Sequence, residues 1–286
     1  IRQLPESGKL VCNFLRQSPD FNGKADFIFR LLYYLEDWDN EDAIWLFKEN
    51  EAEANKDRFG YFKILENAAK YRMDWVLEMY KKLCFQKIDK PKEPGSTRDI
   101  FEHVDQELFK KIFETNPKKA FDFTLEVTQK LIDSNSWIDK TKLYGDLIYM
   151  WYSYEKGQSY SNEFLLNLLI DQLRVFAQEK SPKFMEFYKE YRNHNSMSML
   201  IVLIHGLQVN TTHYKNESFE FIKIFHSKGG FSEATERTAY QVRQLINKTY
   251  SVLNSKQKDR IDRIILEHRN EPDLKVYEEK GVKKHY

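Results

Sequence analysis

The densest run of ligand-type side chains in this 286-residue chain is Glu36-Asp37-Trp38-Asp39-Asn40-Glu41-Asp42. Carboxylates this close together suit a hard divalent cation, and two of them could divide general-acid and general-base roles. A small-molecule enzyme built here would need the carboxylates to converge in one pocket. The order is wrong for a calcium loop, which needs alternating Asp, a Gly and a distal Glu. A helix junction fits better: Glu36 and Asp37 end one helix, Asp39 caps the next, and Glu41 and Asp42 complement the positive end of its dipole.

The other ligands and nucleophiles are dispersed. The seven histidines, at 103, 194, 205, 213, 226, 268 and 285, make no His-Glu-x-x-His. His205 lies in an apolar stripe, where a satisfied core histidine is expected. Cys12 and Cys84 have neither a local histidine partner nor Cys-x-x-Cys spacing. Nucleophilic catalysis and a disulfide framework are therefore unsupported, and the chain reads as reduced and cytoplasmic. No Gly-x-x-x-x-Gly-Lys-Ser/Thr loop occurs, so the segment is not itself a P-loop nucleotidase. In outline an aromatic-rich helical chain with an acidic run is similar to terpene synthases. It lacks their Asp-Asp-x-x-Asp, and Asn247, Ser251 and Ser255 end on a hydroxyl where the second motif requires a carboxylate. No metal or cofactor is expected.

Binding is the remaining class of activity. With 45 Lys+Arg against 44 Asp+Glu, the net charge of +1 supplies no global field toward nucleic acid or an anionic membrane. Lys256, Lys258, Arg260 and Arg263 surround a short helix whose apolar side is Ile261, Ile264 and Ile265. They offer phosphate contacts, which makes nucleic-acid binding by a helical array the alternative reading. Asp259, Asp262 and Glu267 interleave with them, so an ion-paired, solvated face is expected. The aromatic excess of 21 Phe, 17 Tyr and 5 Trp points instead to a protein or peptide partner. Most rings should fill the gap between two helix layers, leaving a minority for a concave surface. The candidates for that minority are Trp38 and Trp45 in the first block, and Trp137, Trp151 and Tyr152 in the middle.

The elements carrying these residues read as helices. Only 10 Gly and 7 Pro argue against all-β and Gly-rich nucleotide folds. Apolar residues recur at helical spacing in Phe101, Val104, Leu108, Phe109, Ile112 and Phe113, in Met73, Val76, Leu77, Tyr80, Leu83 and Cys84, in Tyr144, Leu147, Ile148, Trp151 and Tyr152, and in Val242, Leu245, Ile246, Thr249, Tyr250 and Leu253. Ser18-Pro19, Asn116-Pro117 and Ser181-Pro182 each set a capping residue before a proline suited to the first helical position. The spacing from Pro117 to Pro182 suits about one and a half to two hairpins of the ~34–47-residue kind. These features predict an all-α chain of irregular antiparallel hairpins stacked as a TPR/HEAT-like α-solenoid. Asp89-Lys-Pro91-Lys-Glu-Pro94-Gly95-Ser96 reads as a linker, dividing an N-terminal helical block, 1–88, from a C-terminal helical-repeat block, 98–286, with 89–97 between. Met199–Leu207 is too short to span a membrane and reads as a buried helix. Asn210-Thr-Thr, Asn216-Glu-Ser and Asn247-Lys-Thr read as chance matches to the glycosylation pattern.

The final segment, Asn254-Ser-Lys-Gln-Lys-Asp259-Arg260-Ile-Asp-Arg263-Ile-Ile-Leu266 with Tyr277 and Lys283-Lys-His-Tyr286, resembles the helical-repeat regions of large bacterial STAND-type ATPases. The resemblance implies a sensor or scaffold region whose ATP or GTP chemistry lies elsewhere in a longer protein. A chain that starts at Ile1 and ends on a segment without a core of its own agrees with excision from such a parent.

Overall fold

The helical spacing of apolar side chains is realised in most of the described residues of the computed structural model, which are 5–18, 23–35, 41–54, 58–89, 112, 114–134, 139–146, 161–231 and 236–268. In order come α1 (Pro5–Gln17), α2 (Lys24–Tyr33), α3 (Glu41–Ala54), α4 (Arg58–Ala69), α5 (Met73–Asp89) and α6 (Pro117–Asp133). They are followed by α7 (Ser161–Gln178), α8 (Pro182–Tyr191), α9 (Met197–Leu207), α10 (Lys215–Ser227), α11 (Glu236–Thr249), the 3-10 turn Tyr250–Val252 and α12 (Ser255–Glu267). The described residues contain no strand; their one extended pairing is a parallel bridge between Tyr144 and Ser196. None of their helices is long and apolar enough to cross a membrane. The chain divides into two compact units, 1–130 and 131–286, and the division falls in the last turn of α6. Apart from Asp89, the expected linker at 89–97 lies outside the described residues.

In the first unit α2 packs along α3, and α4 lies against both α2 and α5. The 73–84 stripe works as its spacing predicts, with Val76, Leu77, Tyr80 and Cys84 buried. Rings fill the gap between these helices. Phe47 of α3 meets Tyr61 of α4 at 5.3 Å and Trp75 of α5 edge-on at 4.9 Å, and Phe62 stacks on Tyr80 at 5.8 Å.

The second unit is built around α9. Its sequence, Met-Ser-Met-Leu-Ile-Val-Leu-Ile-His-Gly-Leu, is apolar on every side, and a helix of that kind belongs inside. Every residue of it is buried except His205. It packs against α7, α8 and α11. The helix ends follow their local chemistry. Ser181 accepts from the Lys183 N–H with Pro182 at the first position of α8, and Asn116 accepts from the Lys119 N–H at the start of α6. After α10, Gly229 takes φ 72 while its N–H reaches the carbonyl of His226 and that of Gly230 reaches Phe225, the double bond pattern for which glycine is suited. The end of α7 repeats the pattern with Lys180 at φ 55.

One expectation is corrected. Tyr144 does not open a helix with Leu147 and Ile148, because its N–H and C=O are taken by Asn195 and Met197; 147–154 lie outside the described residues. Ser18 closes α1 by donating to the carbonyl of Phe14; the helix start expected at Pro19 lies outside the described residues, and the next described helix opens at Lys24 behind Gly23 at φ 85.

Gly206 lets α9 come close to its neighbours. A methyl group there would lie 2.6 Å from a ring carbon of the fully buried Phe184 and 3.2 Å from Leu173. Gly206→Ala should therefore lower unfolding stability by about 1–3 kcal/mol. That is the opposite sign to the ~1 kcal/mol by which Ala is favoured in a helix interior, and urea denaturation of the two proteins decides it.

Candidate functional site

The described part of the acidic run is Glu41 and Asp42, in the first turn of α3. Asp42 pairs with Arg16 of α1 at 2.6 Å, and Glu41 with Arg72 at 3.1 Å, just ahead of α5. Each carboxylate thus neutralises an arginine from another segment, and both sit at the positive end of the helix dipole, as the junction reading requires. Glu36 to Asn40 lie outside the described residues. The Arg16 guanidinium also lies over the Trp45 ring at 4.5 Å. Trp45 is therefore half-buried and already engaged within its own unit, whereas Trp38, Trp137, Trp151 and Tyr152 lie outside the described residues. The Cys12 thiol beside this cluster is pushed up chiefly by burial and then by Asp42, away from thiolate reactivity.

The richest polar cluster is one that motif reading missed. The buried Asp146 accepts from Ser196 Oγ at 2.5 Å, Ser198 Oγ at 2.6 Å and the Ser198 N–H at 3.2 Å, all at the start of α9. The Met197 N–H reaches the Tyr144 carbonyl, the Met199 N–H reaches Ser196 Oγ, and the Ser196 N–H reaches His194 Nδ1 at 3.0 Å. Lys228 clamps the preceding loop, donating to the carbonyls of Asn193 and His194 and to Asn195 Oδ1. Asn195 in turn donates to the Lys140 carbonyl at 2.9 Å. Serine, histidine and aspartate meet here without forming a nucleophile. The Ser196 proton goes to the carboxylate, and the imidazole nitrogen nearest to it accepts a backbone N–H. Burial lowers His194 and Lys228, and it raises the Tyr144 phenol to about 12, with Asp146 and Asp133 adding to that rise.

The cluster is a helix cap with its own supports. Sequence reading had one usable signal for it, serines directly ahead of an apolar run. Asp146 carries no signal of its own, because its partners are distant in sequence. Among the described residues, no three His, Cys, Asp or Glu side chains are placed to hold a metal ion. The chain matches no protein-family model, no curated protein and no solved structure.

His205 and the basic helix both depart from expectation. His205 Nε2 is buried without a hydrogen-bond partner, so this core histidine is not satisfied. On α12, Lys256, Lys258, Arg260 and Arg263 form no ion pair among the described residues, and two of the helix's acids are engaged elsewhere. Asp262 accepts from the Tyr250 hydroxyl at 3.0 Å and Glu267 pairs with His226 at 2.8 Å. Lys258 lies over the Tyr250 ring, and Arg263 Nε donates to the Asp259 carbonyl.

Two stability measurements follow. Asp146→Ala strands two buried hydroxyls and a helix N–H, so it should cost about 3 kcal/mol or more in urea denaturation; a loss under ~1 kcal/mol would show that water replaces the carboxylate. Burial holds His205 at about 4, with Arg174 and Lys248 contributing, against an ordinary value of 6.5. Burial also lowers His194 and His268. The unfolded chain binds these protons more readily, so stability is full above pH ~6.5 and falls as the pH drops toward 4, by up to about 3 kcal/mol from His205. His205→Leu should show a correspondingly shallower fall over the same range.

Proposed function

We propose that this chain is a non-catalytic helical-repeat domain, stacked as an α-solenoid, that binds a protein or peptide partner. The observation that carries the reading is the outer face of α1. Leu10 and Phe14, one turn apart, are 70% and 63% exposed, while Cys12 and Leu15 on the opposite side are buried. A helix apolar on two sides and covered on one has a contact left to make. The spacing suits an apolar stripe on a partner helix, laid along α1.

In the same reading the domain is the sensor or scaffold part of a larger NTPase. The resemblance of its C-terminal segment to STAND-type repeat regions supports this role. It requires the full reading frame to encode a Gly-x-x-x-x-Gly-Lys-Ser/Thr loop outside these residues.

Selection of helical peptides from a displayed random library against the whole chain tests the contact. Enriched peptides should carry apolar residues at i, i+3 or i+4, and i+7. Their affinity should fall at least about tenfold for the Leu10→Lys/Phe14→Lys double variant. Equal affinity for the variant would remove α1 as the contact.

A further inference from the structure

On the reading that the chain binds proteins, α12 offers a second surface of different chemistry. It runs beside α10 in the same direction, because the two are joined at both ends. Near their starts Gln257 Nε2 donates to Asn216 Oδ1 at 3.4 Å, and at their ends His226 meets Glu267 at 2.8 Å. Ile261 and Ile264 anchor α12 from beneath. Lys256, Arg260 and Arg263 occupy positions i, i+4 and i+7, so they share one flank along about 10 Å of axis at ~1.5 Å per residue.

The acids that should neutralise this flank do not. Glu267 is turned to His226, Asp262 lies off the flank and accepts from Tyr250, Asp259 on the flank forms no ion pair with the three cations, and Lys223 of α10 is already matched by Glu220 at 3.1 Å. Three cations are left in a row with no carboxylate partner among the described residues. At the C-terminal end of the helix, Ile265 and Leu266 are exposed.

This combination selects a class of partner. A polyphosphate would meet the cations but also Asp259 and Glu267 of the same helix, and it has no use for an exposed leucine. The chain's net charge of +1 provides no wider field to hold a nucleic-acid backbone. A second helix matches the spacing, because its own side chains at i, i+4 and i+7 repeat at the same interval. We propose that the Lys256–Arg260–Arg263 flank of α12 docks an acidic amphipathic helix of a partner protein, its carboxylates facing the three cations and an apolar side chain reaching Leu266.

The test uses the whole chain and four fluorescent probes read by anisotropy. They are a synthetic helix of about 20 residues, long enough to fold alone, with Glu at the stated spacing, its Gln counterpart, and a DNA of similar length, single-stranded and duplex. The Glu peptide should bind, should weaken as salt is raised, and should exceed the Gln peptide by about tenfold. Lys256→Glu/Arg260→Glu/Arg263→Glu should lower its affinity about tenfold or more, and the milder triple change to Gln should act in the same direction with an unaltered circular dichroism spectrum. Tighter binding of either DNA than of the Glu peptide overturns the proposal in favour of nucleic acid, and so does Glu-peptide binding that is absent or indifferent to both triple variants. The Leu10→Lys/Phe14→Lys variant should keep its affinity for the Glu peptide, so a failure at α12 is distinct from a failure at α1.

Discussion

The start of a buried helix must find acceptors for N–H groups that water cannot reach, and the second unit is organised around that need at α9. Ser196, Met197, Ser198 and Met199 present four successive N–H groups, and these are met in turn by His194 Nδ1, the Tyr144 carbonyl, Asp146 and Ser196 Oγ. Burying a carboxylate is expensive on its own, by several kcal/mol. Two hydroxyls, one amide and the positive end of the helix surround Asp146 and offset that cost. The arrangement also fixes the chain on either side. Tyr144 is pulled into a bridge, and the 193–195 loop becomes a set of acceptors that Lys228 gathers.

With its start settled in this way, α9 can be enclosed by α7, α8 and α11, and each large aliphatic side chain on it contributes about 1.5–3 kcal/mol relative to exposure. Enclosure has a cost at the other end, where Gly206 is needed against Phe184 and Leu173. The neighbouring His205 is held neutral with one nitrogen unpartnered. The groups buried on and around α9 hold the fold, and the side chains left for encounter in this unit lie on helices farther from that centre.

Much of this arrangement was legible in the sequence, and the illegible part has a common cause. The 73–84 and 242–253 stripes bury most of the residues that their spacing picks out, Tyr250 and Met73 excepted, Met199–Leu207 is a buried helix, and Asn116 and Ser181 cap the helices that their prolines open. These features depend on neighbours within about two turns of chain. Asp146 could not be found in that way, because its donors come from a loop and helix start far along the chain. The same limit explains the basic helix. Interleaved signs along α12 predict local pairing, but Tyr250 and His226 compete for its acids from other elements. Trp45 is a further case: Arg16 lies over its half-buried ring, and no local pattern reveals that position one helix away.

Charge pairing on α12 therefore differs from that between the helices of the first unit. In the first, cations are consumed between helices: Arg16 by Asp42, Arg72 by Glu41, Lys81 by Glu126 and Lys119 by Asp74. Exposed pairs of this kind add about 0.2–1 kcal/mol each, so their main effect is to fix orientation and to leave little local field. On α12 two of the three acids are consumed instead, one by a neutral hydroxyl and one by a histidine, and neither partner spends a fixed positive charge. A tyrosine hydroxyl satisfies a carboxylate without removing a lysine or arginine from the surface. The near balance of 45 basic against 44 acidic residues thus hides a local surplus, produced by what the acids bond to and not by how many there are. For the same reason the surplus stays short in range: it is confined to one flank of one helix, and beyond a Debye length of about 8 Å in physiological salt it is largely screened. A surface of that kind selects a ligand that comes into contact, one side chain against another, over one gathered from a distance.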